Sequence, residues 1–142
     1  MLRLTHSYPF SASHRLHVEA LSDAENRELF GKCNNPYGHG HNYVLHITVS
    51  GEPSSETGLV MSRDELDRIA REAVLERIDR KDMNTAVPEF RRLVPSTENL
   101  AKVIGEWLCL AWRRRPPQGV PRLSRVFLEE TGRNSFELRM ET

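Results

Sequence analysis

Cysteine is scarce in this sequence, with only Cys33 and Cys109 among 142 residues. Two thiols in a chain of this length exclude the dense disulfide framework of a small secreted domain. No apolar run approaches the roughly 18 residues of a membrane-spanning helix, and the N-terminus shows no charged leader followed by an apolar segment. From these absences we expect a cytoplasmic chain with reduced thiols and no membrane contact.

An excess of charge of either sign is also missing, because 20 Lys and Arg residues balance 20 Asp and Glu residues. A general nucleic-acid binder needs a basic excess to displace counterions from phosphates, so this class of protein is excluded. A local basic pocket for a small anion is compatible with the balance. The length and a hydrophobic content of 38% predict one domain with one core, spanning residues 1–142.

Apolar and polar side chains alternate in two segments of the N-terminal part of the chain. The first covers residues 2–18 and the second residues 41–50, and a period of two predicts a long strand in each. Between them, the polar segment 20–30 is either a loop or a short helix. The Gly, Asn and Pro residues of segment 31–40 predict a loop.

Two amphipathic helices are predicted in the centre of the chain. Ser62 caps the first, and Ser96 or Thr97 caps the second. Their apolar stripes have helical spacing and comprise Leu66, Ile69, Ala70, Ala73 and Val74, then Leu100, Val103, Ile104, Trp107, Leu108 and Ala111. Residues 120–130 and 136–141 flank a turn and predict a β-hairpin. The order ββααββ predicts an α+β domain, an antiparallel sheet with two helices on one face.

Three histidines occupy positions that predict a metal site. His39 and His41 form an H-x-H pair, which an extended chain places on one face together with Tyr43. His14 shares the apolar face of the first strand with Phe10. Imidazoles at the edge of a core are costly unless their nitrogens are satisfied, and a zinc ion satisfies them while leaving one corner open for water or substrate. Hydrogen bonds without a metal are the alternative. Zinc is favoured over iron because the set contains no carboxylate.

Cys33 is a candidate base or nucleophile. It lies in the loop six residues before His39, next to Lys32, and a thiol beside a cation and near a metal can be a thiolate of low pKa. The alternative is a small apolar side chain that fills a gap. Cys109 lies between Leu108 and Leu110 in the second predicted helix, where we expect a structural role.

Four motifs resemble the 6-pyruvoyl tetrahydropterin synthase family, in the same order and over nearly the whole chain. They are F-S-A-S-H-R-L at 10–16, F-G-K-C-N-N-P-Y-G-H-G-H-N-Y at 30–43, P-S-T-E-N-L-A at 95–101 and E-T at 130–131. The resemblance implies the tunnelling fold, assembled into a homohexamer of two trimers. It also implies a zinc enzyme that eliminates triphosphate from 7,8-dihydroneopterin triphosphate and yields 6-pyruvoyl tetrahydropterin without an external redox cofactor.

The resemblance also implies roles for single residues. The three histidines match the zinc ligands of the family, and Cys33 matches its catalytic cysteine. Glu130 matches the carboxylate that anchors the pterin ring, and Ser96 and Thr97 match residues beside that anchor. A carboxylate suits this role because it accepts two N–H bonds from the edge of an aminopyrimidine. For Ser96 and Thr97, helix capping is a second role compatible with the first.

The segment after the first predicted helix departs from the family. Asp79 matches an aspartate that supports the catalytic cysteine, but Arg80 stands where a histidine is expected. Arginine cannot act as a base at ordinary pH, so the usual proton relay is in question. A fixed positive charge of Arg80 near Cys33 favours the thiolate, and on this basis we expect the pKa of Cys33 to lie below about 8.5.

Other functions stay open at this point. The closest alternative is 6-carboxy-tetrahydropterin synthase of the 7-deazaguanine (queuosine) pathway, which shares the fold, the metal and the substrate. A third relative cleaves the same substrate to 6-hydroxymethyl-dihydropterin and typically has a glutamate near the cysteine position, so Cys33 argues against it. A zinc-containing protein that binds a pterin without turnover is the alternative from another class, because the relay histidine is missing.

Overall fold

The computed structural model describes residues 1–140 and is built on one five-stranded sheet. The strands are β1 (Leu2–His14), β2 (His39–Gly51), β3 (Lys81–Asp82), β4 (Arg122–Thr131) and β5 (Asn134–Arg139). Their order in the sheet is β3-β1-β2-β4-β5. The helices are α1 (Asp23–Phe30), α2 (Arg63–Ala70), α3 (Glu76–Ile78), α4 (Met83–Ala86) and α5 (Thr97–Arg114). The predicted α+β class is confirmed.

The antiparallel pair β1–β2 forms the centre of the sheet and stays in register from Leu2↔Gly51 to His14↔His39. Alternate residues of both strands are apolar, so one face of the pair is buried and the other carries polar side chains. β4 pairs with β2, and β5 pairs with β4, both antiparallel. The buried face shares one hydrophobic core with α2 and α5, which places these helices on one face of the sheet, as predicted.

The short strand β3 departs from the predicted all-antiparallel sheet. It pairs in parallel with β1, through Ala12↔Lys81 and Ser13↔Asp82. These two pairs cover only a small part of the β1 edge. Within residues 1–140, the rest of that edge and the outer edge of β5 have no neighbouring strand. Open strand edges of this kind are sites for pairing with another chain.

β1 ends four residues before the predicted strand does. The Asn84 side chain forms hydrogen bonds with both backbone polar groups of Arg15. Its Oδ1 accepts the Arg15 N–H at 2.7 Å, and its Nδ2 donates to the Arg15 carbonyl at 3.0 Å. The next backbone N–H, that of Leu16, donates to the carbonyl oxygen of Cys33 at 2.7 Å. These bonds turn the chain away from the sheet after His14 and fix the position of the Cys33 loop.

The polar segment after this turn forms α1. Ser22 and Glu25 begin the helix with a capping box, in which Ser22 Oγ accepts the Glu25 N–H at 3.1 Å and Glu25 Oε1 accepts the Ser22 N–H at 3.0 Å. Asn26 is buried, and its side chain bonds to the backbone N–H and carbonyl of Val18. The segment between β1 and the Cys33 loop is therefore held by polar side chains rather than by an apolar strand face.

The two predicted central helices are present. Ser62 is the N-terminal residue before α2, although its side chain forms no capping hydrogen bond, and a π-helical turn (Arg71–Leu75) continues α2 into α3. Ser96 caps α5, with its Oγ accepting the Asn99 N–H at 3.2 Å. The residues of both predicted stripes are buried, except for the partly buried Ala111. Among residues 1–140, no helix has the length and apolar content needed to cross a membrane.

Candidate active site

The three predicted histidines form one cluster of rings at the end of the β1–β2 pair. The strand register pairs His14 with His39 and Ala12 with His41. The ring centroids of His14 and His41 are 5.0 Å apart, and those of His39 and His41 are 4.4 Å apart. The period of two in both strands therefore brings together residues that are far apart in the sequence.

His14 is held in one orientation and one tautomer. It is fully buried, and its Nδ1–H donates to the carbonyl oxygen of Pro95 at 2.7 Å. The hydrogen bond to Pro95 acts to raise the pKa of His14, but burial lowers it by more. The net effect is a lowered pKa, which favours the neutral imidazole. In neutral His14 the lone pair is therefore on Nε2, and this is the arrangement of a metal-binding histidine whose other nitrogen is fixed by a carbonyl.

Two buried nitrogens of the cluster have no hydrogen-bond partner in the described part of the chain. They are Nε2 of His14 and Nε2 of His41. The carboxylate of Glu130 lies 3.8 Å from His41 Nε2, beyond hydrogen-bond distance. Burial also lowers the pKa of His41. Buried lone pairs without a partner are costly, so these nitrogens fit a metal ion of the kind that neutral imidazoles bind.

Cys33 lies with these two histidines. One ligand atom from each of His14, Cys33 and His41 lies within 4.8 Å of the others, and this triplet could hold a metal ion. His39 contributes its ring to the cluster but is not part of this closest set. The structure thus brings two of the three predicted ligands together with the predicted catalytic cysteine.

The predicted low pKa of Cys33 is wrong for the chain itself. Burial raises the pKa of this thiol, and the negative charge of Glu130 raises it further. The expected cations do not act on it: Lys32 is exposed, and Arg80 lines a cavity beside β1 and β2. The charged group that acts on the sulfur is therefore the Glu130 carboxylate, and its negative charge favours the protonated thiol.

Glu130 is held by two side-chain hydrogen bonds. Its Oε2 accepts a short hydrogen bond from the Thr97 hydroxyl, and its Oε1 accepts the Asn134 side-chain N–H at 3.2 Å. Burial acts to raise the pKa of Glu130, but the bonds from Thr97 and Asn134 and the nearby His41 outweigh it, so the pKa is lowered. The result is a carboxylate that is ionised although only 12% of its side chain is exposed.

Ser96 and Thr97 were each expected to cap a helix or to lie beside Glu130, and in the structure each residue has one of these two roles. The Ser96 side chain caps α5, whereas the Thr97 hydroxyl points to Glu130. Asn134, the second residue that holds Glu130, was missed by sequence reasoning. It is the first residue of β5, directly after the hairpin turn, and its place four residues after Glu130 was the only signal available.

Tyr43 is a further member of the cluster that sequence reasoning used only to define a strand face. Its ring is fully buried, stacks on Phe10 with centroids 4.9 Å apart and meets the His41 ring at 5.6 Å. Burial and the charge of Glu130 raise the pKa of the Tyr43 hydroxyl far above its ordinary value. The hydroxyl therefore remains protonated.

Asp79 and Arg80 lie at the edge of β1, where both form hydrogen bonds with the backbone of Ser11. Asp79 Oδ1 accepts the Ser11 N–H at 3.0 Å, and the Arg80 N–H donates to the Ser11 carbonyl at 2.6 Å. Arg80 has a φ of 62°, in the left-handed region. Its side chain lines a cavity of about 330 Å³ together with Lys81 and Asn42. Asp79 is not among the groups that act on Cys33 of the same chain.

Comparison with known proteins identifies the family. Residues 3–141 match the family profile described as 6-pyruvoyl tetrahydropterin synthase. The chain is 41% identical to the 6-pyruvoyl tetrahydrobiopterin synthase of Poecilia reticulata over 138 residues, covering 97% of this chain and 90% of the relative. It is 46% identical to the Homo sapiens protein of that name over 125 residues, covering 88% and 82%. The solved structure of Caenorhabditis elegans 6-pyruvoyl tetrahydropterin synthase superposes with a TM-score of 0.86 at 36% identity, covering 99% of this chain and 96% of that one.

Proposed function

The chain belongs to the 6-pyruvoyl tetrahydropterin synthase family of lyases, and from that premise we propose that it converts 7,8-dihydroneopterin triphosphate to 6-pyruvoyl tetrahydropterin. A C–O bond breaks to release inorganic triphosphate, and protons shift along the side chain, so no external oxidant or reductant is needed. The observation that carries the proposal is the meeting of two orphaned histidine nitrogens with the Cys33 thiol and the Glu130 carboxylate at one end of the sheet.

The pterin ring binds at Glu130. The ionised carboxylate accepts two N–H bonds from the aminopyrimidine edge, and Thr97 and Asn134 keep its oxygens in place. This end of the site is closed, because Tyr43 and Thr97 are buried around it. The 6-side chain of the substrate then extends towards the histidines and Cys33.

The residues that hold the metal are His14, His39 and His41, and we assign the ion to zinc. When bound, zinc supplies Lewis-acid polarisation of an oxygen on the substrate side chain, which makes the adjacent C–H more acidic. The Pro95 carbonyl keeps Nε2 of His14 directed at the ion site. Cys33 lies beside these histidines, and in the thiolate form, which a bound cation would favour over the effect of Glu130, its sulfur can take a proton from carbon and return it.

The active form is a homohexamer in the cytoplasm, and its site draws on more than one subunit. Two features support this assembly. The edges of β1 and β5 are largely open among the described residues, and an open edge needs cover. Asp79, the candidate partner of the cysteine, is bonded to Ser11 and is not among the groups that shift the pKa of Cys33 in its own chain. A neighbouring subunit can supply that contact.

Product analysis tests the reaction. The zinc-loaded protein is incubated with 7,8-dihydroneopterin triphosphate, and the pterins and inorganic triphosphate are identified by chromatography and mass spectrometry. We expect 6-pyruvoyl tetrahydropterin and one equivalent of triphosphate, with Cys33→Ala as the inactive control. A 6-carboxy product assigns the chain to the 7-deazaguanine (queuosine) pathway instead, and a 6-hydroxymethyl product assigns it to the third relative.

Arg80 keeps one further function open, that of a zinc-containing protein that binds a pterin without turnover. Arginine at this position supplies a fixed charge where a titrating group is expected, and Arg80 lines a cavity and is not among the groups that shift the pKa of Cys33. Recovery of unchanged substrate bound to the protein, with no triphosphate released, selects this function over the lyase.

A further inference from the structure

The hydroxyl of Tyr43 is a buried donor that forms no hydrogen bond of normal distance and angles within residues 1–140, although the Thr97 hydroxyl is close enough to affect it. The residue is 0% exposed, and no atom in residues 1–140 meets the distance and angles of a hydrogen bond with its oxygen. The hydroxyl of Tyr8 provides the contrast within this chain, because it donates to Asp67 Oδ1 at 2.7 Å. Leaving a buried hydroxyl unsatisfied costs free energy, so its presence in the site calls for a partner outside the chain.

The position of this hydroxyl is fixed by the packing of its ring. Tyr43 is opposite Phe10 in the β1–β2 register, and the two rings stack with an interplanar angle of 10°. The His41 ring packs against Tyr43 at a centroid distance of 5.6 Å. With the ring held in this way, the hydroxyl cannot turn to solvent.

The surroundings of the hydroxyl identify it as part of the pterin end of the site. Glu130, Thr97 and Cys33 are the residues whose polar groups act on it. The Thr97 hydroxyl donates its proton to Glu130 Oε2, so it has none to give to Tyr43, and the Tyr43–Thr97 contact does not have the distance and angles of a hydrogen bond. The His41 ring packs against Tyr43, and its Nε2 lies 3.8 Å from the Glu130 carboxylate, so the acceptor-only carboxylate and the O–H donor border the same histidine.

We propose that Tyr43 donates a hydrogen bond to the ring carbonyl of the bound pterin, next to the N–H groups that Glu130 accepts. This inference rests on the proposed function. The pyrimidinone edge of a pterin presents N–H donors and a carbonyl acceptor next to each other, and Glu130 with Tyr43 presents the complementary acceptor and donor. A site built in this way discriminates against ring systems that lack the carbonyl, because such a ring leaves the hydroxyl unpaired.

The test compares Tyr43→Phe with the matched control Tyr8→Phe. Neopterin binding is measured by fluorescence titration of the zinc-loaded protein, together with thermal unfolding and zinc content. Tyr43→Phe keeps the ring packing, and we expect neopterin to bind about three- to tenfold more weakly, with zinc content unchanged and a melting temperature equal to or above that of the wild type. Tyr8→Phe should leave neopterin binding unchanged and lower the melting temperature, because it breaks the bond to Asp67.

A pteridine with an amino group in place of the ring carbonyl tests the atom assigned to the contact. The preference of the wild type for neopterin over this analogue should shrink in Tyr43→Phe. An unchanged preference, unchanged neopterin affinity, a loss of zinc or a fall in melting temperature in Tyr43→Phe each overturn the inference, because each assigns the hydroxyl to another partner or to none. If the wild type itself does not bind neopterin, the proposed pterin function fails instead.

Discussion

The Nδ1–H of His14 donates to the carbonyl oxygen of Pro95 at 2.7 Å, which joins the end of β1 to the segment that leads into α5. This one bond connects the two halves of the site. It directs Nε2 of His14 towards the histidine cluster, and it lies next to Ser96, which caps the helix, and Thr97, whose hydroxyl bonds to Glu130. The proposed metal end and the proposed pterin end of the site are therefore fixed relative to each other by a bond between the buried His14 ring and the Pro95 backbone.

The zinc content of single-residue variants distinguishes the predicted three-histidine site from the alternative ligand set His14, Cys33 and His41. We expect His14→Ala and His39→Ala to lose zinc measured by elemental analysis, because each removes one of the three proposed ligands. Cys33→Ser should keep zinc at one equivalent per chain and lose turnover. Retained zinc in His39→Ala together with lost zinc in Cys33→Ser assigns the third ligand to the cysteine. His46→Ala is the control, because His46 bonds to Ser7 and Glu129 outside this cluster.

The proposed role of Glu130 as pterin anchor is tested by comparing it with its neighbour Glu129. Glu130→Gln keeps the size of the side chain but loses its charge and one acceptor, and charge-assisted bonds contribute on the order of 1.5–3 kcal/mol each. We expect pterin affinity to fall at least about tenfold in a fluorescence titration. Glu129→Gln is the matched control, since Glu129 is bonded to His46 instead. Equal losses in the two variants place the anchor elsewhere.

Arg80 is predicted to hold the triphosphate. Its side chain forms no hydrogen bond or ion pair within residues 1–140 and lines a cavity with Lys81. In metal-free protein, we expect Arg80→Gln to bind inorganic triphosphate about fivefold more weakly at low ionic strength, with a smaller difference in 0.5 M salt. Calorimetry measures this affinity. Arg63→Gln is the control, because Arg63 lines a cavity at the Leu2 end of β1. Equal affinities of Arg80→Gln and wild type contradict the assignment.

The product assay with Arg80→His addresses the departure from the family. A rise in 6-pyruvoyl product shows that the native chain lacks a relay that histidine restores. A sharp fall shows that arginine has a role in the reaction of this chain. No change in rate or product shows that the position lies outside the reacting part of the site.

Acid stability depends on the pair Tyr8 and Asp67. The hydrogen bond from the Tyr8 hydroxyl lowers the pKa of Asp67 below 3.8, so the carboxylate stabilises the fold above its unfolded pKa, and this contribution is lost as pH falls through the folded value. With 43% of the Asp67 side chain exposed, the contribution is about 1 kcal/mol or less. Tyr8→Phe should therefore reduce the free energy of unfolding at pH 7, and its difference from wild type should shrink below pH 4 in urea titrations. A constant difference from pH 7 to pH 3 contradicts this.

The sheet and the histidine cluster could be predicted because both follow from local periodicity. Alternation placed His14, His39 and His41 on the apolar faces of two strands, and consecutive antiparallel strands of this kind pair with each other. The end of β1 could not be predicted in this way. Its last position depends on the Asn84 side chain, which binds the backbone of Arg15 from a distant part of the sequence.

The electrostatics of the site depend on contacts that no local pattern contains. The low pKa expected for Cys33 rested on its neighbour Lys32 and on Arg80, but the group that acts on the thiol is Glu130 in β4. The bond between Thr97 and Glu130 likewise requires β4 to lie beside the start of α5. Resemblance to a family identified these residues, and packing determines which of them touch.

The full-length pairing of β1 and β2 has a practical consequence for handling the protein. β1 begins at Leu2, opposite Gly51, and ends at His14 in the site, 13 residues in all. At about 3.4 Å per residue, the start of this strand is about 40 Å from the histidine cluster. A fluorophore, affinity tag or surface tether attached at Met1 therefore starts at the opposite end of the sheet, where it leaves the mouth of the site free for immobilised assays.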